Sequence, residues 1–137
     1  MNEDSVVWND AYSVGFEPID TQHKELVKMT NELFESCKQG TDAADKAFLQ
    51  TIKRAAEYAR NHFSDEDKYM LEANFPNLND HRKLHDDFLA VVGKAIQDFN
   101  TGSTEPFELA QFLKNWLLTH IAEADKQYAP YLAKLKD

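Results

Sequence analysis

A chain of 137 residues is long enough to enclose one hydrophobic core and short for two, so a single domain over residues 1–137 is expected. Fifteen Lys and Arg against 24 Asp and Glu leave a formal charge of -9, which repels a phosphate backbone and an anionic membrane surface and excludes nucleic acid as a partner. With 42% hydrophobic and 28% charged residues, the composition is that of a folded globular protein rather than a disordered one.

The residues from Met1 to Asp10 carry three acids and no apolar run, unlike a secretory or transit leader. No later stretch approaches the roughly eighteen apolar residues of a membrane helix, so membrane insertion is not expected. Residues 1–17 read as an N-terminal arm whose Trp8, Tyr12 and Phe16 can pack over the helices. A first helix succeeds Pro18 and Asp20 and runs to about Lys38, with Leu26, Val27, Leu33, Phe34 and Cys37 at helical spacing and Gly40 beyond its end. Cys37, the single cysteine, sits on that apolar stripe as an inert thiol and has no partner for an internal disulfide, which fits a reducing, cytoplasmic setting. The second helix opens near Thr41 and Asp42, and its inward stripe runs Phe48, Ile52, Ala55, Ala59, His62, Glu66 and then Tyr69 or Met70. Residues 74–80, with Pro76 and three asparagines, read as a turn in which Asn79 or Asp80 caps a third helix. The stripe of that helix is His81, Leu84, His85, Phe88, Val92, Ala95, Ile96 and Phe99, ahead of a loop over 100–103. Ser103 or Thr104 caps the fourth helix, Pro106 is tolerated in its first turn, and Pro130 marks its end. Its inner face reads Leu109, Phe112, Leu113, Trp116, Leu117, His120 and Ile121. Four helices with short connections predict an all-α, antiparallel up-and-down four-helix bundle with an N-terminal arm. Little apolar surface is left over on the outer faces, so a monomer is expected.

Four of the five histidines fall on inward positions, and the fifth, His23, stands three residues before Leu26. One histidine on an apolar stripe is ordinarily a satisfied core residue. Five imidazoles with carboxylates beside them need a common partner, because buried polar groups without one cost several kcal/mol. His62 and Glu66 are four apart, as are His81 and His85, so each pair leaves one face of its helix toward one point. Nitrogen and oxygen donors without thiolate suit iron, zinc, manganese or cobalt and argue against an iron-sulfur or cuprous site. The chain contains no CxxCH, HExxH or Glu-x-x-His pattern, which sets aside haem attachment, zinc-protease chemistry and the ferritin-like carboxylate centres.

The residues resemble the haemerythrins, and the single-domain bacterial haemerythrins in particular. That family places one His on the first helix, His-x3-Glu on the second, His-x3-His on the third and His-x4-Asp on the fourth. Here His23, His62 with Glu66, His81 with His85, and His120 with Asp125 fill those positions in order. The stretch VGFEPIDTQHK from Val14 to Lys24 is similar to the family's arm and first-helix entry, and Phe63, Trp116, Leu117 and Ile121 resemble its pocket lining. Five residues on an ideal helix turn through about 500 degrees, so periodicity favours Glu123 over Asp125 as the partner of His120. Only the resemblance selects Asp125. Asp65 competes with Glu66 on the second helix, where the stripe and the resemblance agree on Glu66.

The resemblance implies two non-haem iron ions, Fe2+ or Fe3+, joined by an oxo or hydroxo bridge. It assigns His81, His85 and His120 to one iron, His23 and His62 to the other, and Glu66 and Asp125 to both. Such a set leaves one coordination position open, and the implied function is reversible dioxygen binding for storage, transport or delivery to an oxygen-consuming partner protein. The alternative is a redox enzyme reducing peroxide or nitric oxide, or a sensor of oxygen or iron. An enzyme needs a spare acid or base beside the open iron. Tyr58, Tyr69 and Tyr128 are the only candidates, each read more readily as a half-buried packing residue, so the chain is expected not to be an enzyme.

Overall fold

A computed structural model describes residues 6–37, 42–100 and 106–136. Gly40, Thr41, Ser103, Thr104 and most of the loop at 100–103 lie outside these residues, as does the side chain of Cys37. Four main helices occupy Glu17–Cys37 (α1), Asp42–Glu72 (α2), Leu78–Asn100 (α3) and Pro106–Thr119 (α4). The fourth passes into a π-helical turn at His120–Ala124 and a 3-10 turn at Asp125–Gln127, and a short helix Ala129–Leu132 (α5) and a 3-10 turn, Ala133–Lys136, follow. Pro130 is therefore not a terminus, because it sits in the first turn of α5, where a missing N–H costs nothing.

α1 packs against α2 and α4, and α2 against α3. The fourth side of the ring is closed by side chains, with Phe88 stacked on Trp116 at 4.0 Å between centroids. His23 lies early in α1, His62 and Glu66 late in α2, His81 and His85 early in α3, and His120 just past the end of α4. That alternation brings all of them to one level only if successive helices run up and down, which is the expected four-helix bundle.

The polar level divides the interior in two. Above it lies a core that includes Leu33, Phe34, Phe48, Ile52 and Val92; below it lies a smaller cluster of Phe16, Ile19, Met70, Phe75, Tyr128 and Leu132. Each fully buried large apolar side chain contributes about 1.5 to 3 kcal/mol. The two cores clamp the polar residues from both sides.

Local rules set the boundaries. α1 begins at Glu17, earlier than Pro18 and Asp20 suggest, because the Asp20 carboxylate accepts the Val14 N–H at 2.9 Å and so ties the arm to the first turn. The arm continues along α1, where the Val6 N–H donates to Asn31 Oδ1 (2.7 Å) and Asn31 Nδ2 donates back to Val6 C=O (2.9 Å). Trp8 and Tyr12 pack half-buried on the main core and Phe16 is buried in the lower one. α2 ends in a Schellman turn, with Asn74 at φ 58° and the Phe75 N–H on Met70 C=O at 3.0 Å. Phe75 and Met70 then meet in the lower core. α3 starts at Leu78, ahead of Asn79 and Asp80.

Two residues read as inward are not. Leu84 is 42% and Phe112 38% exposed, since the rows His81–His85–Phe88–Val92 and Leu109–Leu113–Leu117 fill the inner faces and push these neighbours to the rim. With Val91 and Phe107 also exposed, the outer faces of α3 and α4 carry more apolar surface than the sequence suggests. Among the described residues, no helix is long and apolar enough to cross a membrane.

Candidate metal centre

All five histidines and two carboxylates, Glu66 and Asp125, are buried at the polar level, with Glu66 and Asp125 fully inaccessible. His81 Nε2 and His120 Nε2 each stand 2.9 Å from Asp125 Oδ1, and His23 Nε2 stands 3.0 Å from Asp125 Oδ2. His62 Nε2 and His85 Nε2 approach Glu66 Oε1 at 3.2 and 3.3 Å. Despite these distances, His23 Nε2, His81 Nε2, Glu66 Oε1 and both Asp125 oxygens form no hydrogen bond. Their lone pairs converge on shared points instead of lining up donor to acceptor. His85 Nε2 and His120 Nε2 are 3.1 Å apart, the separation of two ligands set at right angles about 2.1 Å from one cation.

The donor atoms sort into two sets, each within 4.8 Å: Glu66, His81, His85, His120 and Asp125, and His23, His62, Glu66 and Asp125. The sets share both carboxylates. Two cations sharing these carboxylates would satisfy this pattern, and no single group brings together donors from all seven residues. Orphaned buried donors of a type that binds divalent metals therefore fit a two-metal cofactor.

The π turn explains Asp125. Its N–H bonds back to His120 C=O across five residues, so the helix is locally wider and residues five apart return to one face. Glu123 is exposed. Ideal periodicity fails here because the helix is not ideal at the site.

Electrostatics hold the cluster charged when protons occupy it. Burial disfavours the His23 imidazolium, but the Asp125 and Glu66 carboxylates outweigh it and raise the pKa from 6.5 to about 10. Burial opposes His85 similarly, and Asp67, Glu66 and Asp125 raise it to about 9. Burial also works against Glu66, but the surrounding imidazoles hold it well below the usual carboxylate range. For Asp125, burial and the nearby Glu66 charge both oppose ionisation, and His120 and His23 still hold it down.

One neighbour, Gln22, is absent from the site residues expected from the sequence. Gln22 Oε1 accepts from His62 Nδ1 at 2.6 Å, and Gln22 Nε2 donates to Asp65 Oδ2 at 2.8 Å. This chain of bonds fixes the His62 tautomer with Nε2 free toward the cluster, and it gives Asp65, the rejected rival of Glu66, an orienting place. No periodicity marks Gln22, since its contact crosses from α1 to α2. Replacing Gln22 with alanine is expected to weaken metal binding about 10- to 100-fold. Competition with a chelator measures this, and unchanged affinity would remove the positioning role.

Tyr128 is fully buried, not half-buried, and its hydroxyl donates a hydrogen bond to Glu66 Oε2. Burial and the Asp125 and Glu66 charges push its pKa well above 10, so it stays a donor across the neutral range. Its position three residues after Asp125 is the signal the sequence offers. Phenylalanine at 128 is expected to cost about 1 to 3 kcal/mol by stripping a buried carboxylate of its donor. Thermal melts of the two proteins give the comparison, and equal stability would show the bond to be dispensable.

A cavity of about 20 Å³ adjoins the cluster. Its wall includes His23, His62, His120 and Asp125, with Phe63, Trp116, Leu117 and Ile121 among the apolar members. His81 and His85 do not reach it. The indole of Trp116 lies flat on the His120 ring at 4.4 Å, and Phe63 stacks on His85 at 3.9 Å.

The same architecture recurs in known proteins. Residues 14–132 match the family model described as "Hemerythrin HHE cation binding domain". A protein named bacteriohemerythrin from Pseudomonas aeruginosa is 32% identical over 123 residues, covering 90% of this chain and 78% of that one. Another bacteriohemerythrin, from Clostridium acetobutylicum, is 30% identical over 130 residues, covering 89% and 97%. Myohemerythrin from Riftia pachyptila is 28% identical over 122 residues, covering 89% of each. A crystal structure of wild-type hemerythrin superposes with a TM-score of 0.86 at 25% identity, covering 93% of this chain and 98% of its own. With the family model spanning most of its length, and with seven buried donors gathered as a metal-binding site between two cores, this chain belongs to the haemerythrin family.

Proposed function

We propose that residues 1–137 act as one domain that binds dioxygen reversibly at a centre of two non-haem irons joined by an oxo or hydroxo bridge. In this reading His81, His85 and His120 hold one iron, His23 and His62 hold the other, and Glu66 and Asp125 bridge them. The observation that carries it is an asymmetry: one donor set has three histidines and the other two, and the cavity lies against both histidines of the poorer set but only His120 of the richer. Room for a ligand thus coincides with the metal that lacks one. When bound, two ferrous ions supply the vacant position and the electrons that dioxygen needs.

The protein's own side chains keep the exchange clean. Phe63, Trp116, Leu117 and Ile121 wall the cavity with apolar surface, which favours an uncharged diatomic guest and excludes bulk water. Among the described residues, that wall carries no acid or base besides the four proposed ligands. Tyr128 faces Glu66 and is absent from the wall, so among the described residues the wall offers no general acid beyond the proposed ligands. This supports a binding protein serving storage or delivery to an oxygen-consuming partner, rather than an enzyme.

The test is metal analysis with visible spectroscopy. Ferrous protein reconstituted without oxygen should contain two irons per chain, develop a charge-transfer band under air, and lose it under argon. Prompt, irreversible oxidation would favour redox turnover, and a site filled by zinc would set the reading aside.

A further inference from the structure

A second cavity, of about 30 Å³, lies deeper in the main core, farther from the metal centre than the first. It exists because α2 presents three alanines, Ala55, Ala56 and Ala59, opposite the large side chains of the other helices. Thr30 is the one polar residue in its lining, and its hydroxyl already donates to Leu26 C=O at 2.9 Å. That leaves only the lone pairs of one hydroxyl to hold a water, and a site needs two to four polar partners to retain one. Cavities of this kind stay dry and admit apolar atoms such as xenon. Its volume exceeds the 10–15 Å³ or so that one water-sized guest requires.

Its position gives it a use. Leu26, Ala59, Phe88 and Leu117 line both this cavity and the one beside the metal centre. All four of these shared side chains are apolar. We infer that the Ala55–Ala56–Ala59 cavity is a docking site for a small apolar gas, and that it holds dioxygen one step away from the metal centre. Its assignment to dioxygen rests on the proposed function; its capacity for an apolar guest does not. The main core is otherwise filled by large side chains, so a guest here replaces dispersion contacts that the alanines leave unmade.

The experiment uses xenon as the probe. Crystals of the metal-loaded protein under xenon pressure should show anomalous density between Ala55 and Val92, and 129Xe exchange in solution should report the same site. Ala55→Leu on α2 and Val92→Leu on α3 fill the space from opposite sides, and neither residue borders the metal-side cavity. Each is expected to abolish the xenon density. The ferrous Ala55→Leu protein should also take up dioxygen severalfold more slowly at unchanged iron content. Absence of xenon from this space, or its persistence in both filled variants, overturns the site. Parental uptake rates in the filled variants overturn its assignment to dioxygen. Xenon occupancy needs no iron, so its outcome is separate from whether the centre binds oxygen reversibly.

Discussion

Replacing Glu66 or Asp125 with alanine is expected to empty both metal positions, whereas Glu123→Ala leaves them filled. Both carboxylates belong to both donor sets, so in the proposed two-iron arrangement each substitution would remove a ligand from both cations and negative charge that two divalent ions need in a buried site. Loss of an orienting neighbour alone weakens metal sites about 10- to 100-fold, and loss of a shared ligand should exceed that. The damage does not stop at the metal. Without Glu66, His23, His62 and His85 face a buried level with half its counter-charge missing, a change that costs about 3 to 5 kcal/mol when one partner of a buried pair is deleted. Glu123 is exposed and has neither role. Iron per chain after anaerobic reconstitution, with thermal melts in chelator, measures both effects. A Glu66→Ala protein that retains two irons would refute the shared-carboxylate arrangement.

The contrast between Asp125 and Glu123 shows where the sequence is legible. His62, Glu66, His81 and His85 can be read from periodicity because α2 and α3 are regular where those residues sit. Two apolar rows carry them inward with Ile52, Ala59, Phe88 and Val92. Asp125 cannot be read that way. The π turn at His120–Ala124 adds a residue per turn, and nothing in HIAEA announces it. Family resemblance supplies what helix geometry cannot, and the Asp125-to-His120 hydrogen bond supplies the reason. Tyr128 is undervalued by spacing for a related cause. Pro130 looks like an end, so a residue just before it looks peripheral, whereas the chain continues into α5, and Tyr128 and Leu132 are buried in the lower core. Leu84 and Phe112 are overvalued because a stripe drawn from spacing is wider than the strip that a four-helix core buries.

The stability that metal adds should grow as pH rises from about 6.5 toward 9 or 10. In the metal-free protein, His23 and His85 have pKa values raised from 6.5 to about 10 and about 9. A group with a raised folded-state pKa contributes stability that is complete below its unfolded value and is lost as pH climbs through the folded one. Each tenfold gain in proton affinity corresponds to about 1.4 kcal/mol, so the metal-free bundle should lose on the order of a few kcal/mol across this window. Metal binding changes in the opposite sense. An imidazole must be neutral to ligate, so cations displace those same protons, and affinity strengthens as the protons become easier to remove. Glu66 and Asp125 do not alter the sign. Their depressed pKa values place their contribution above the ordinary carboxylate range, where it persists through this window and fades only in acid. The melting temperatures of metal-loaded and chelated protein should therefore diverge with rising pH, by several degrees at least, given about 2 to 8 °C per kcal/mol for domains of comparable size. Below pH 5 the difference should shrink and metal should be released. A gap that stays constant, or narrows as pH rises, would mean that the buried imidazoles are not where the metal binds.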